Sequence, residues 1–160
     1  DGNNGSGKTT LLLCVSNILT YSGEVLIKNG IDSFGYVGHR NGLYDTQTVD
    51  SFLYFWKNIY NYKKSYQTIL EYFNLSRFID TPVSSLSFGQ KKKLSFARLI
   101  MMKSKIWLLD EPISGLDKKT KKLILKLIQE HLSLGGGALA TSHERLSYFD
   151  KNKITRVKIY

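Results

Sequence analysis

The sequence contains a single cysteine, Cys14, among its 160 residues, so no disulfide can form within the chain. Cys14 falls in an apolar stretch and is expected to be a small core residue, which suits a reducing, cytoplasmic compartment. No apolar run approaches the roughly 20 residues that a membrane-spanning helix needs. Internal repeats and low-complexity linkers are also missing. The length and a hydrophobic content of 42% are typical of one globular domain.

Acidic residues are scarce, with 13 aspartates and glutamates against 23 lysines and arginines, and the formal net charge is +10. Such an excess suits solvated helix faces, an anionic membrane surface or nucleic acid. No nucleic-acid-binding module is recognisable, and the lysine clusters do not collect on one face. We therefore expect no nucleic-acid partner and favour solvated helix faces. The clusters lie at residues 63–64, 91–93, 118–119 and 121–122.

The start of the chain carries the pattern G-x-x-x-x-G-K-[ST], followed at once by an apolar run. Glycines let the backbone wrap a phosphate closely, and the inward N–H groups form an anion nest that a following helix reinforces. Lys8 is expected to reach the β- and γ-phosphates and Thr9 to hold Mg²⁺. The alternative is a plain turn before a helix. The predicted ATP-binding residues here are Gly2, Asn3, Asn4, Gly5, Ser6, Gly7, Lys8, Thr9 and Thr10.

A phosphate-binding loop of this kind follows a buried strand, and Asp1 is not part of one. We expect the protein to continue upstream by roughly 25 residues, enough for a strand and its hairpin partner. Without that strand, the sheet would have an open edge and the loop would be poorly held.

Hydrophobic periodicity predicts helices that alternate with short strands. Ser87 and Asp117 are natural N-caps for two of these helices. The alternation predicts an α/β fold with a mostly parallel sheet flanked by helices. Helices are expected over residues 8–19, 49–62, 65–73, 87–101 and 117–134, and strands over residues 24–28, 34–37, 106–109, 138–142 and 154–160.

The helix predicted over residues 49–62 has a broad aromatic stripe. Core packing is one explanation of the stripe. An exposed groove for a partner helix is the other, because so many rings in a small helical insert are hard to bury. The stripe consists of Phe52, Leu53, Phe55, Trp56, Ile59 and Tyr60.

Two carboxylates follow the apolar strand 106–109. Asp110 is expected to hold Mg²⁺ through its water shell, and Glu111 to accept a proton from the attacking water. Simple surface charge is the alternative. His143 also follows a strand, where a parallel sheet gathers its ligand-binding ends, and could bond the γ-phosphate or hold the water. Glu111, His143 and Lys8 are thus the predicted catalytic residues, and Thr9 and Asp110 the predicted metal ligands.

These motifs resemble the nucleotide-binding subunit of an ABC (ATP-binding cassette) transporter, a P-loop NTPase. Residues 2–10 resemble Walker A, 86–90 the LSGGQ signature with Phe88 in place of a glycine, and 106–111 Walker B. Residues 114–117 resemble the D-loop and His143 the switch histidine. The resemblance covers essentially the whole chain and implies a single ABC ATPase domain over 1–160, with a helical subdomain inserted at about 45–100.

The resemblance also implies that two such domains pair head to tail, with each ATP between the Walker A of one and the signature of the other. Ser87, Gly89 and Gln90 at a helix N-terminus, with Asp117, would then contact ATP across the pair. Phe88 is tolerable if its ring points away from the phosphate. Hydrolysis would reopen the dimer and drive an integral membrane partner.

His39 stands where this family usually has a glutamine, and it is a further residue of the predicted ATP site. The stretch around His39 is similar to the haem-exporter ATP-binding subunit of cytochrome c maturation. That likeness implies an exporter ATPase, using ATP and Mg²⁺, peripheral on the cytoplasmic face of the cell membrane and pairing with itself. The alternatives are another small exporter in which His39 is a drifted glutamine, a soluble ABC ATPase acting on ribosomes or nucleic acid, and a non-catalytic regulatory cassette.

Overall fold

The computed structural model describes residues 5–26, 34–38, 43–142, 149, 155 and 157. Helices and strands alternate through this part of the chain. Two 3₁₀ turns, Ser76–Phe78 and Val83–Ser85, precede the helix that begins at Phe88. The elements are α1 (Lys8–Val15), β1 (Phe34–Val37), α2 (Val49–Ile59), α3 (Gln67–Phe73), α4 (Phe88–Met102), β2 (Ile106–Asp110), α5 (Lys118–Ser133) and β3 (Gly137–Thr141).

The described strands form a parallel sheet in the order β1-β2-β3, which confirms the predicted parallel α/β core. β2 lies in the middle and is almost wholly buried, as expected of an apolar strand with both neighbours in place. Its last residue, Asp110, pairs in register with Thr141 of β3. The carboxyl ends of neighbouring strands therefore meet at one edge of the sheet.

The first helix is shorter than predicted, because α1 ends at Val15 instead of continuing to residue 19. The Ser16 hydroxyl donates to the carbonyl of Leu13, and Asn17 takes a left-handed φ of 58°. The backbone N–H groups of residues 18 and 19 then both donate to the carbonyl of Leu13, which closes the helix. Small polar residues that bond their own backbone favour such an end.

Two predicted edge strands are not found in the residues that can be checked. Residues 24–26 are not in a strand, and residues 27 and 28 lie outside the described part. Residues 155 and 157 are likewise not in a strand, and the rest of the predicted closing strand is not described. β3 begins at Gly137, one residue before the predicted start, because the Gly137 N–H donates to the carbonyl of Lys105 at 2.8 Å.

The segment from residue 43 to residue 102 is built on buried aromatic and aliphatic side chains. Phe52, Phe73 and Phe96 are among the largest fully buried side chains of the described chain. Thr48 is the N-cap of α2, and its hydroxyl accepts from the N–H of Ser51 at 3.1 Å. These helices therefore combine polar caps with an apolar face turned to a shared core.

The aromatic stripe on α2 divides between the two predicted environments. Phe52 and Leu53 are buried in the core, whereas Phe55 and Ile59 are 44% and 58% exposed. Trp56 is half-buried and stacks on Tyr60 with ring centroids 5.2 Å apart. Within the described residues, no helix is long and apolar enough to cross a lipid bilayer.

Candidate functional site

The loop that leads into α1 has the backbone conformation that its glycines were predicted to allow. Gly5 and Gly7 have φ values of 83° and 85°, a left-handed region that strains other residues. Gly7 is the N-cap of α1 and provides no side-chain hydrogen bond. The first N–H groups of α1 therefore have no hydrogen bond to a capping side chain. A helix N-terminus of this kind can bind an anion, because its N–H groups point toward the ligand.

Other predicted residues of this loop differ in exposure. Lys8 is buried, whereas the side chains of Thr9 and Thr10 lie on the exposed side of α1. The Ser6 hydroxyl oxygen is buried and has no hydrogen-bond partner within the described residues. A buried hydroxyl without a partner is costly, so this oxygen marks a place where a polar ligand would be stabilising.

Asp110 joins α1 to the sheet through both of its carboxylate oxygens. The Thr9 hydroxyl donates to Oδ2 at 2.9 Å, although the two residues are 101 positions apart. The Thr141 hydroxyl donates to Oδ1 at 2.7 Å. Asp110 is only 3% exposed, and a buried carboxylate needs such donors. The structure thus brings the two predicted metal ligands into contact.

Glu111 follows directly and takes a left-handed φ of 49°, which is uncommon for a residue with a side chain. Its backbone N–H donates to the Thr141 hydroxyl at 3.0 Å. The same hydroxyl therefore accepts from Glu111 and donates to Asp110. Sequence reasoning missed Thr141, and the signal that could have found it is its position opposite Asp110 in a parallel pair.

The signature turn, residues 86–90, forms the start of α4, as predicted. Ser87 caps the helix, and a capping box joins its backbone N–H to the Gln90 side chain at 2.7 Å. A side chain added at Gly89 would lie 3.6 Å from Asp117 and Thr120. The signature turn therefore lies beside the start of α5, while its predicted contact with ATP stays a prediction.

Asp117 caps α5, as predicted, and is exposed. Its carboxylate accepts from the Thr120 N–H at 2.9 Å and from the Thr120 hydroxyl at 2.7 Å. The bond from the Thr120 N–H, followed by that from its hydroxyl, lowers the pKa of Asp117 below its usual value. The Asp117 side chain is thus occupied with its own helix in the single chain.

Phe88 replaces a signature glycine, and its ring lies near Gly115 and Lys92. A side chain added at Gly115 would lie 3.5 Å from the ring, and the Lys92 Nζ lies 5.9 Å from the ring centroid. The ring nevertheless stays 42% exposed.

Lys92 is a second feature that sequence reasoning missed. Its side chain is fully buried, and its Nζ donates to the carbonyl of Gly38 at 3.3 Å. Burial lowers the pKa of Lys92 to about 8, and the charges of Asp110 and Glu111 oppose that shift. Helical spacing could have identified it, because it shares a face with the residues four and seven positions later, Phe96 and Leu99.

Five predicted site residues cannot be placed. Gly2, Asn3, Asn4, His39 and His143 lie outside the described residues. Gly38 and Ser142, which precede the two histidines, follow the carboxyl ends of β1 and β3.

The residues that are placed have the donor chemistry that Mg²⁺ prefers. The Thr9 hydroxyl and the Asp110 carboxylate are hard oxygen ligands in hydrogen-bond contact with one another. Across the described part of the chain, no group of three or more histidine, cysteine or acidic side chains could hold a metal ion. Mg²⁺ in proteins usually has only one or two protein oxygens beside waters and phosphate oxygens, so the Thr9 hydroxyl and the Asp110 carboxylate would fit such an ion.

The order of these features along one parallel sheet is matched by known proteins. The model of the ABC transporter family matches residues 1–114. The chain belongs to the ABC transporter family. This match confirms the predicted ABC-type ATPase and its P-loop fold.

Curated relatives and solved structures agree with that assignment. The cytochrome c biogenesis ATP-binding export protein CcmA of Paracoccus denitrificans is 37% identical over 142 residues, covering 89% of this chain and 67% of that protein. CcmA of Legionella pneumophila is 36% identical over 155 residues, covering 91% and 78%. A dimeric ATP-binding cassette in a post-hydrolysis state, bound to ADP and Pi, shares the fold with a TM-score of 0.75 and 24% identity, covering 89% and 72%.

Proposed function

We propose that the protein is the ATP-hydrolysing subunit of an exporter, and that residues 1–160 form one ABC ATPase domain with a helical subdomain at about 45–100. The hydrogen-bond chain Thr9–Asp110–Thr141–Glu111 carries this proposal. It connects the phosphate loop to the ends of two parallel strands. A phosphoryl-transfer site needs a phosphate cradle and carboxylates in this relation.

Each placed residue then has a chemical role. The uncapped N–H groups of α1, with Lys8, bind the phosphates, and Thr9 with Asp110 would hold Mg²⁺. When bound, the ion neutralises charge that develops on the phosphate oxygens. Glu111, the residue after Asp110, takes the proton of the attacking water. The roles of His143 as γ-phosphate contact and His39 as a further ATP-site residue rest on resemblance.

Pairing of two copies is supported by where the helices pack. α1 packs on β2 and β3, whereas α4 packs on β1 and on the neighbouring helices α2, α3 and α5. The phosphate loop and the signature turn thus lead into helices that pack on different strands of the sheet. Ser87, Gly89, Gln90 and Asp117 would reach an ATP bound by a second copy, with the N-terminus of α4 facing its γ-phosphate.

The relatives support a proposal for the exported cargo and the membrane partner. The two relatives described above are named as ATP-binding export proteins of cytochrome c biogenesis. We therefore propose haem export, with the protein on the cytoplasmic face of the membrane against an integral membrane subunit. The exposed residues Tyr54, Phe55 and Ile59 of α2 offer that subunit an apolar contact.

The proposed reaction is tested by Glu111→Gln in the full-length protein. The substitution removes the base and preserves the shape, so ATP hydrolysis should fall by about 100-fold or more while ATP binding is kept. With MgATP, the variant should accumulate as a dimer on size-exclusion chromatography. Glu71→Gln, the same change on the exposed surface of α3, is the matched control and should hydrolyse ATP at the wild-type rate. Wild-type turnover by Glu111→Gln would show that the base is assigned wrongly.

The proposed partner is tested separately, by affinity purification of the tagged protein from detergent-solubilised membranes. An integral membrane protein should co-purify, and haem-dependent cytochrome c maturation should fail in cells that carry only Glu111→Gln. A monomer that binds MgATP and never associates with a membrane protein would refute the exporter role. Tight binding to RNA with a steep salt dependence would favour the soluble class instead.

A further inference from the structure

A lysine on α4 has its whole side chain inside the protein. Lys92 is among the largest fully buried side chains of the described chain, and its Nζ donates to the carbonyl of Gly38 at 3.3 Å. Charged side chains are almost never fully buried unless they are paired. The cost of burying this ammonium group must therefore be offset by the groups around it.

Those groups come from three separate parts of the fold. The Gly38 carbonyl lies just beyond β1, and the negative charges of Asp110 and Glu111 lie at the end of β2. The ring of Phe88, in the signature turn, lies over the ammonium with its centroid 5.9 Å from Nζ. Lys92 is thus the point at which the signature turn meets both strand ends.

Phe88 also lies close to the turn that leads to α5. Gly115 has a φ of +69°, and a side chain placed there would lie 3.5 Å from the Phe88 ring. The ring consequently lies between Lys92 on its own helix and the residues that follow the acidic pair. A glycine at position 88 could not provide either contact.

A second cation of α4 makes a comparable contact with β1. The Arg98 guanidinium donates to the carbonyl of Tyr36, two residues before Gly38, and lies 5.1 Å from the centre of the Trp56 ring. α4 therefore binds the end of β1 through two side-chain donors. Lys92 differs from Arg98 because its acceptor, Gly38, directly follows Val37, which pairs in register with Leu109, the residue before the acidic pair.

We propose that Lys92 is a positioning residue for ATP hydrolysis, which holds the end of β1 against the acidic pair and, through Phe88, couples both to the signature turn. This inference rests on the proposed ATPase function. When the ammonium is removed, the Gly38 carbonyl loses its donor and the two carboxylates lose a buried positive charge. The acidic pair then relaxes, and turnover falls without a loss of ATP binding.

The test compares Lys92→Met with Lys92→Arg in the full-length protein, with the number of active sites counted by nucleotide binding. Lys92→Met should lower kcat by about 10-fold while KM and the Kd for ATP change by less than about twofold, because the lost interaction acts on the acidic pair. Lys92→Arg keeps the charge and should recover most of the rate. Lys126→Met, on the exposed face of α5, should behave as wild type.

A purely structural lysine would give a different result. Both Lys92 variants would then unfold at a lower temperature, while kcat per counted site stayed at the wild-type value. That outcome overturns the inference. If Glu111→Gln also hydrolyses ATP normally, the proposed function itself has failed; if only the Lys92 variants are normal, the failure is confined to Lys92.

A second pair of variants tests the coupling and does not depend on the folding of Lys92→Met. Phe88→Ala should lower kcat by about threefold, whereas Tyr21→Ala, which removes a ring of almost equal exposure from the segment after α1, should not. Equal rates for these two variants overturn the inference. In a double-mutant cycle, Phe88→Ala should have no further effect in the Lys92→Met background, and full additivity would contradict the coupling.

Discussion

The phosphate-loop region and the helical segment from residue 43 to 102 are held together in different ways. The phosphate loop depends on a few polar contacts between distant residues, such as the Thr9–Asp110 bond across 101 positions. The stability of the helical segment depends on the close packing of apolar side chains, and Phe52, Phe73 and Leu75 are fully buried in its core. The first region can therefore lose function through one hydroxyl group, and the second loses stability through one cavity.

The two regions also differ in how completely their apolar side chains are covered. Leu11, Ile18 and Leu19, in and just after α1, are exposed, although they are apolar. The buried faces of α2, α3 and α4, in contrast, share one continuous core. Substitutions in the two regions should therefore separate activity from stability.

The largest expected effect is on stability, from Phe73→Ala in the helical segment. Removing a fully buried ring leaves a cavity and should lower the free energy of unfolding by about 3–5 kcal/mol. Urea denaturation followed by circular dichroism measures the loss. ATP affinity, measured where the variant is folded, should remain unchanged. An unfolding midpoint equal to that of the wild type would show that this core does not support the fold.

In the phosphate-loop region, Thr141→Val removes the hydroxyl that bridges Asp110 and Glu111. The buried Asp110 carboxylate then loses one of its donors and the Glu111 N–H loses its acceptor, which should cost about 1–3 kcal/mol of stability. We also expect ATP turnover to fall by about 10-fold, because both carboxylates lose their alignment. Thr141→Ser keeps the hydroxyl and serves as the control. Equal steady-state rates for the two variants would contradict the bridging role.

A smaller effect is expected from Thr48→Ala at the start of α2. The hydroxyl that accepts from the Ser51 N–H is lost, and an N-cap of this kind is worth about 1 kcal/mol. Thermal unfolding should shift accordingly, while kcat for ATP stays at the wild-type value. Thr48→Ser restores the cap. A fall in kcat would indicate that α2 is coupled to the site more closely than its contacts suggest.

The smallest effect is a pH dependence from Tyr66. Its hydroxyl donates to Asp50 at 2.6 Å, and this bond, with burial, raises the pKa of Tyr66 to about 12. The unfolded chain ionises near pH 10, so the folded state holds more protons between pH 10 and 12 and stability falls as the pH rises.

Tyr66→Phe removes this contribution and should make that fall shallower by at most about 1.4 kcal/mol per pH unit. Denaturation curves at pH 9, 10 and 11 measure the slope. Tyr44→Phe, at an exposed position, should keep the wild-type slope. Identical slopes for all three proteins would mean that the Asp50 contact does not persist in solution.

Much of the fold was readable from the sequence where local chemistry and periodicity agree. Ser87 and Asp117 were predicted as caps and are caps, and the apolar run before Asp110 is the central strand. The buried lysine was not predicted, because the run 91–93 contains three identical side chains and only the spacing to Phe96 and Leu99 indicates which one turns inward. Thr141 was missed for a related reason, since its role depends on strand register and not on local sequence.

The Thr9–Asp110 bond has a consequence for how the protein is made. A ribosome adds about 5–20 residues each second, so some 5–20 seconds separate the synthesis of the two partners. Throughout that interval the nascent chain has a glycine loop but no strand end to hold it. Cellular nucleotide would therefore stabilise only chains whose second half has emerged from the exit tunnel, and it would favour completed copies over truncated ones.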